Sequence, residues 1–440
     1  MSHAPTPSAS SSSSCVSRKP DPPPRPRGVR ATIARTAAIL LLAILLAAPC
    51  TALAGPEGGP DTSAAAPRIS LLTIGPGELF FERFGHNAIV VRDADGDARS
   101  YNYGVFDFFE DDFLANFIGG RMRYLVMEFP YEEDLAVYRD EHRTITEQVL
   151  DLDPQQARAL AGYLEWNARP ENARYPYDYF ASNCSTRVRD ALDRALGGAL
   201  KAQSEGRSRG FTWRMDALRM MAPEPLLMLV IDLGLGPAAD RRTDFWEESF
   251  LPEVLAHVVA DARVAGTEGD HPLVAETIRI ADGTVAAPPL LPPDLRWPFL
   301  IAGLSIGILL ATAGRSARPG PVRAVAAFAF AFQFTAGIVG SILLFLWLGT
   351  EHRAAWRNEN LLLLNPLAFA LLPGWWRVLR GRAPRRFAPR MAGLAVLLGA
   401  FALFSKILAT FAQENLHWIL LLLPIHLALA LVLLRRRNPA

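Results

Sequence analysis

The 440-residue chain is 50% hydrophobic and carries 45 Lys and Arg against 44 Asp and Glu, a formal net charge of +1. That balance hides a segregation: residues 1–54 hold six basic side chains and one acid, residues 55–293 hold 23 and 39, and residues 294–440 hold 16 and four. Blocks of +5, −16 and +12 belong in different electrical environments, and the middle block has the wrong sign for a nucleic-acid-binding domain.

Residues 1–30 are rich in Ser and Pro without apolar periodicity, so they are expected to be disordered. Arg30 and Arg35 then precede an apolar run over 37–48 and the triplet Ala52-Leu53-Ala54. A basic segment, an apolar core and an A-x-A site read as a secretory signal peptide; the alternative is an uncleaved signal anchor. Pro49 before Cys50 argues against a lipoprotein signal, and the long leader suggests a translation start near Val29. Cleavage after Ala54 would remove Cys15 and Cys50 and leave Cys184 alone in an oxidising compartment. A lone exported thiol is either buried and inert or kept for its chemistry.

After a linker over 55–67, an outer domain is expected over 68–287. Residues 69–74 read as a strand, Gly75-Pro76-Gly77 as a turn, 84–91 as a second strand, 93–97 as a hairpin turn and 100–106 as the returning strand. His86 thus falls on a strand with Asn102 on its neighbour. Downstream, Val188, Leu192, Ala195 and Leu196 repeat at helical spacing before Gly197-Gly198, and Asn183 is a good N-cap. Cys184 then sits in the first turn, where the macrodipole and backbone N–H groups favour a thiolate. A helix-tip Cys with a strand-borne His is the arrangement of papain-like nucleophilic catalysis, here with the His first in the chain. Asn102 is the expected third group, with Asp107 and Asp178 as rivals. His142, His257 and His271 read as structural or solvated. The aromatics Tyr175, Tyr177, Tyr179 and Phe180 read as core or as an acyl pocket, and the apolar stretch 213–235 as core or as a face against a bilayer. No metal-ligand cluster, phosphate loop or dinucleotide fingerprint is visible, so no cofactor or metal is expected.

A Pro-rich linker over 288–296 introduces five apolar runs, 297–313, 324–348, 361–376, 391–411 and 416–434, of a length that suits bilayer spans. Asn365-Pro366 should kink the third or make it re-entrant. Arg315, Arg318 and Arg323 fill one connection; Arg377, Arg380, Arg382, Arg385, Arg386 and Arg390 fill another; Arg435, Arg436 and Arg437 follow the last run. These lie on alternate connections, so the positive-inside rule puts residues 55–293 outside and the C-terminus in the cytoplasm. The outer loops carry His352, Asn358, Asn360 and Gln413-Glu414-Asn415, either simply interfacial or a polar surface toward the outer domain. Lys406 either snorkels or marks an internal site.

Several motifs resemble the bacterial Lnb family: Phe84-Gly85-His86-Asn87-Ala88, Tyr101-Asn102-Tyr103-Gly104, the segment from Tyr177-Asp178-Tyr179-Phe180 to Asn183-Cys184-Ser185-Thr186, and Phe250-Leu251-Pro252. The loop from His352 to Asn360 with Asn365-Pro366 resembles that family's membrane part. The resemblance implies an α+β fold, a permuted papain-like (NlpC-type) periplasmic domain, followed over 297–440 by an all-α bundle of about five transmembrane helices in the inner membrane. It further implies a cysteine acyltransferase that moves an acyl chain from phospholipid, through a Cys184 thioester, to the N-terminal cysteine of lipoproteins. Its partners would be a phospholipid donor, a lipoprotein acceptor and the bilayer. The implied catalytic residues are Cys184, His86 and Asn102, with Asn87, Asp178, Tyr179, Asn183, Ser185, His352, Asn358 and Asn360 lining the site. An envelope thiol hydrolase (peptidase or amidase) and a non-catalytic scaffold are the competing expectations.

Overall fold

The structure is a computed structural model that describes residues 65–437 apart from 108, 109, 111, 267 and 268. The leader, the signal segment, Cys15 and Cys50 lie outside the described residues. A seven-stranded antiparallel sheet forms the frame of the outer domain, in the order β6-β4-β3-β2-β1-β5-β9. Its strands are β1 (Arg68–Ile74), β2 (His86–Arg92), β3 (Ala98–Val105), β4 (Arg123–Pro130), β5 (Ile145–Leu150), β6 (Arg174–Pro176) and β9 (Val274–Ala281); β7 (Arg263–Gly266) and β8 (Gly269–Pro272) form a separate hairpin.

The sheet is covered on both faces, which explains why β1 is buried almost throughout rather than on alternate residues. Leu72, Ile74, Ala88 and Val90 pack with Tyr131 and Leu135. Those two side chains belong to a helix over Tyr131–Asp140. Ile69, Leu71, Ile89, Tyr101 and Tyr103 face the main helical layer. That layer includes helices over Pro154–Asn167, Cys184–Ala195 and Pro252–Asp261. In chain order the helices are α1 (Phe113–Gly119), α2 (Tyr131–Asp140), α3 (Pro154–Asn167), α4 (Cys184–Ala195), α5 (Ala199–Ser204), α6 (Trp213–Met221), α7 (Pro225–Gly234), α8 (Phe245–Glu248) and α9 (Pro252–Asp261). The second strand begins two residues later than its apolar pattern suggests. Gly85 has a φ of 80°, and a Cβ there would lie 2.8 Å from the Ile74 carbonyl oxygen, so the chain turns at Gly85 and pairs from His86 onward.

The stretch 213–235 divides in two. α6 is buried in the core, whereas α7 is apolar yet partly exposed. Beyond it lie α10 (Arg296–Ala313), α11 (Pro319–Leu348), α12 (Leu372–Leu379), α13 (Phe387–Ser405) and α14 (Leu416–Arg437). Among the described residues, five segments can by length and composition cross a membrane: α10, α11, the stretch Glu359–Leu379, α13 and α14. The third is broken as Asn365-Pro366 requires. Two 3-10 turns, Glu359–Leu362 and Pro366–Leu371, precede α12, and the Asn365 side chain caps the second by accepting the Leu367 N–H at 3.1 Å. The fourth run ends earlier than its apolar length, at Ser405, and gives way to turns.

Candidate active site

Local sequence fixes the position of the thiol. The Asn183 side chain accepts the Thr186 N–H at 2.9 Å, and Thr186 Oγ1 accepts the Asn183 N–H at 2.8 Å. This capping box starts α4 at Cys184. Asn183 Nδ2 also donates to the Phe250 carbonyl at 2.8 Å and to that of Tyr179 at 3.1 Å, so Asn183 ties the helix tip down and does not face an open site. Ser185 Oγ lies 2.8 Å from Asn87 Oδ1 and 2.7 Å from the Ser249 carbonyl oxygen, pinning the first turn of α4 against β2.

The imidazole reaches the sulfur because of an irregularity in β3. Ala88 pairs with Asn102, and between Tyr103 and Val105 the register with β4 shifts. Gly104 is the residue passed over in this bulge, with a φ of 94°, and a Cβ on it would come within 3.3 Å of Cys184 Cβ. The missing side chain lets the helix tip close onto the strand. His86 Nε2 lies 2.8 Å from Asn102 Oδ1, and the imidazole is also hydrogen-bonded to the Cys184 sulfur. Cys184, His86 and Asn102, named from sequence, therefore come together.

Behind Asn102 lies a layer that sequence reasoning missed. Asn102 Nδ2 donates to Asp134 Oδ2 at 2.9 Å, Ser100 Oγ donates to the same oxygen at 2.6 Å, and Tyr138 Oη donates to Asn102 Oδ1 at 3.3 Å. Asp134 and Tyr138 lie on α2 with Tyr131 and Leu135, the residues that pack on the sheet. An acid at a core-facing position of that helix was the available signal.

The electrostatics of the pair follow from these contacts. Burial alone would push the Cys184 thiol up. The imidazole's charge and hydrogen bond, with the backbone N–H groups of Asn87 and Ser185, outweigh it and bring the thiol below its ordinary value. Burial would likewise push His86 down, but the sulfur's charge, its hydrogen bond and Asn102 raise it above the usual imidazole range. Both directions favour a thiolate–imidazolium pair. A cleft of about 390 Å³ opens onto His86 and Asn102, walled by Val105, Phe129 and Val137.

The remaining candidates are distributed differently. Asp178 accepts the N–H groups of Phe180 and Ala181, each at 2.9 Å, so it shapes the turn before α4 rather than orienting His86. Asp107 is exposed beyond the end of β3. Tyr175 and Phe180 are core. Tyr179 is half-exposed and stacks on the His352 ring at 6.0 Å, while His352 Nε2 lies 3.0 Å from the Phe117 carbonyl oxygen; these residues join the outer domain to the end of α11. Asn358 and Asn360 are not at the thiol. Asn358 Nδ2 donates to the Leu233 and Gly234 carbonyls at 2.8 and 3.1 Å, and Asn360 Nδ2 to that of Leu233 at 3.3 Å, so both amides cap the end of α7. Lys406 forms an ion pair with Glu359 and donates to the Gln413 carbonyl at 2.8 Å, which makes it an internal partner of the outer loops. His271 contacts Asp151 at 3.2 Å, remote in the fold from His86.

With this geometry in place, comparison with known proteins gives two matches. The model of the Lnb N-terminal periplasmic domain matches residues 61–223, and that of the Lnb transmembrane domain matches residues 297–407, together more than half of the chain. No curated protein and no solved structure matches.

Proposed function

We propose, starting from the premise that this chain belongs to the Lnb family and is an inner-membrane protein with a periplasmic domain and a transmembrane domain, that it is a cysteine-dependent acyltransferase. The observation that carries this reading is the constellation of Cys184 at a helix tip with His86 and Asn102 on neighbouring strands, in a domain joined to membrane-spanning segments. The outer domain is read as a permuted papain-like fold on the roles of these residues, and the arginine-rich connections are read as cytoplasmic, with the C-terminus.

In the proposed reaction, the Cys184 thiolate attacks an ester carbonyl carbon of a phospholipid. A carbon–sulfur bond forms, the carbon–oxygen bond breaks, and the imidazolium proton goes to the departing lysophospholipid alkoxide. With Nε2–H given to Asn102, Nδ1 is the nitrogen left to exchange that proton. In this reading, backbone N–H groups at the start of α4 stabilise the oxyanion. A neutral amine then attacks the thioester; the carbon–nitrogen bond forms, the thiolate leaves, and His86 takes the amine proton, restoring the ion pair. The N-terminal cysteine of a lipoprotein is the acceptor proposed, because a lipid-anchored amine and a lipid donor share the membrane plane and lose less encounter entropy.

The test is intact-mass analysis of the full-length protein in phospholipid nanodiscs. The expected result is an acyl adduct on Cys184, discharged by hydroxylamine or by an N-terminal cysteine lipopeptide and absent in Cys184→Ala. Free fatty acid released without an amine acceptor would replace this reading with a thiol hydrolase, and a wild-type protein that never carries acyl would leave only a scaffold.

A further inference from the structure

Three groups of large apolar side chains stand exposed on the outer domain: Leu79, Phe80 and Phe81 in the loop 75–85, Leu114, Phe117 and Ile118 on α1, and Leu226 and Val230 on α7. Leu226 is 79% exposed, Leu114 66% and Phe80 55%. Isolated exposed apolar residues are ordinary, but three groups at one place are not. Each group is fastened to the outer end of a membrane helix. On α1, the Gly119 carbonyl accepts the Glu351 N–H at 2.8 Å, three residues past the end of α11. α7 is held through Asp232, which accepts from His417 Nε2 at 2.5 Å and Trp418 Nε1 at 2.7 Å in the first turn of α14. The loop is tied to Glu224, just before α7, by Arg83 at 3.1 Å. Its Phe84 shares an apolar cluster with Met221, Met228 and Leu295, the residue that precedes α10. Trp347 and Leu348 keep α11 apolar and exposed up to its last residue, so hydrocarbon or interface reaches that level.

From this rim a run of aromatic rings leads inward. Phe81 meets Phe106 at 6.3 Å, Phe106 meets Phe113 at 6.3 Å and Tyr124 at 5.2 Å, and Tyr124 stacks on Tyr177 at 4.1 Å. Tyr124, Tyr177 and Cys184 pack against the same apolar core, so the run of rings ends in the layer that holds the thiol.

We propose that the loop 75–85, α1 and α7 form an apolar rim seated in the outer leaflet of the bilayer, and that the aromatic run is the path by which the acyl chain of a bilayer glycerolipid reaches Cys184. The occupant is lipid because the rim is continuous with the membrane helices that fix its depth. The path rests on the acyltransfer reading above; the seating of the rim does not.

The experiment uses the full chain in nanodiscs with its native cysteines replaced and single cysteines, Phe81→Cys, Leu114→Cys or Leu226→Cys, labelled with an environment-sensitive fluorophore. Asp95→Cys, in the exposed turn between β2 and β3, is the aqueous control. The rim predicts blue-shifted emission and quenching by doxyl-labelled lipids at 81, 114 and 226 but not at 95. Emission at all three positions matching that at 95 would overturn it. For the path, Phe80→Ser combined with Phe81→Ser should slow Cys184 acylation from bilayer phospholipid at least about tenfold and slow acylation by a water-soluble short-chain nitrophenyl ester far less. Equal rates with the bilayer donor would overturn the path. If the wild type is never acylated from bilayer lipid, the path falls with the acyltransfer reading, and quenching alone still decides the rim.

Discussion

Asp134 reaches His86 only through Asn102, so its predicted effect differs from that of Cys184 or His86. Replacing Asp134 by Asn leaves Asn102 Nδ2 facing an amide that can present either oxygen or nitrogen, where it now meets a carboxylate that also accepts from Ser100. Asp134→Asn is expected to lower kcat by roughly tenfold, about 1.4 kcal/mol of transition-state stabilisation, with KM little changed. Asn102→Ala, which removes the imidazole's direct partner, should cost more. A parallel rise in KM would assign Asp134 to substrate binding instead. The sulfur offers an independent reading. A thiol lowered by its imidazole should be alkylated by iodoacetamide at pH values below the usual thiol range of about 8.5. The rate should fall only as pH drops through the lowered value, because the thiolate is then protonated. His86→Ala removes the charge and hydrogen bond that lower the thiol most, leaves burial opposed only by the backbone N–H groups of Asn87 and Ser185, and should move that midpoint upward.

The elements that carry the site were legible where a short local rule decides the structure. Asn183 with a Thr three residues on announces a capped helix, and the structure starts α4 there with Cys184 first. The hairpin reading put Asn102 on the strand next to His86 but left Asp107 and Asp178 as rivals; the structure brings Asn102 to the imidazole. What sequence did not give was decided by packing between distant segments. The bulge at Gly104 depends on the approach of α4, and Asp134 becomes part of the site only once α2 lies on the sheet. Asn358 and Asn360 read as lining residues because they are polar and sit in an outer loop; their amides are consumed by α7, a contact between residues more than a hundred positions apart. At this scale the prediction concerns the cap. Asn183→Ala removes the Thr186 N–H acceptor and leaves the buried Phe250 carbonyl without its 2.8 Å donor. A loss of about 1–2 kcal/mol is expected for the cap alone, with more from the orphaned carbonyl. Chemical denaturation in detergent should show it, and Asn183→Asp, which keeps the acceptor but not the donor, should restore only part.

At the scale of the molecule, the outer domain and the membrane helices are joined by buried polar groups where two separate bodies would leave a wet, weak contact. Arg214 is buried on α6 and reaches Asp232 at 2.8 Å and Asp240 at 2.7 Å. Asp232 in turn receives His417 and Trp418 from α14. Gln413 Nε2 donates to the Leu235 carbonyl at 3.0 Å, and Asn358 caps the same turn. A charge buried this way is costly unless every partner is present, so the junction holds one geometry or comes apart. If the thiol must stay at a fixed height above the bilayer, that geometry is what function requires of the junction. Asp232→Asn keeps the volume but leaves the Arg214 and His417 sides without a shared carboxylate, and breaking such a pair costs about 3–5 kcal/mol. The expected outcome is selective loosening at the junction, with faster hydrogen exchange in α7 and the 350–360 loop while β1, β2 and β3 stay protected. The alkylation profile of Cys184 should remain that of the wild type, because His86 and Asn102 are held within the outer domain. Acylation of Cys184 from bilayer phospholipid should fall, whereas acylation by a soluble ester should not. Uniform exchange across sheet and junction would mean that Asp232 stabilises the fold as a whole and does not set the height of the thiol.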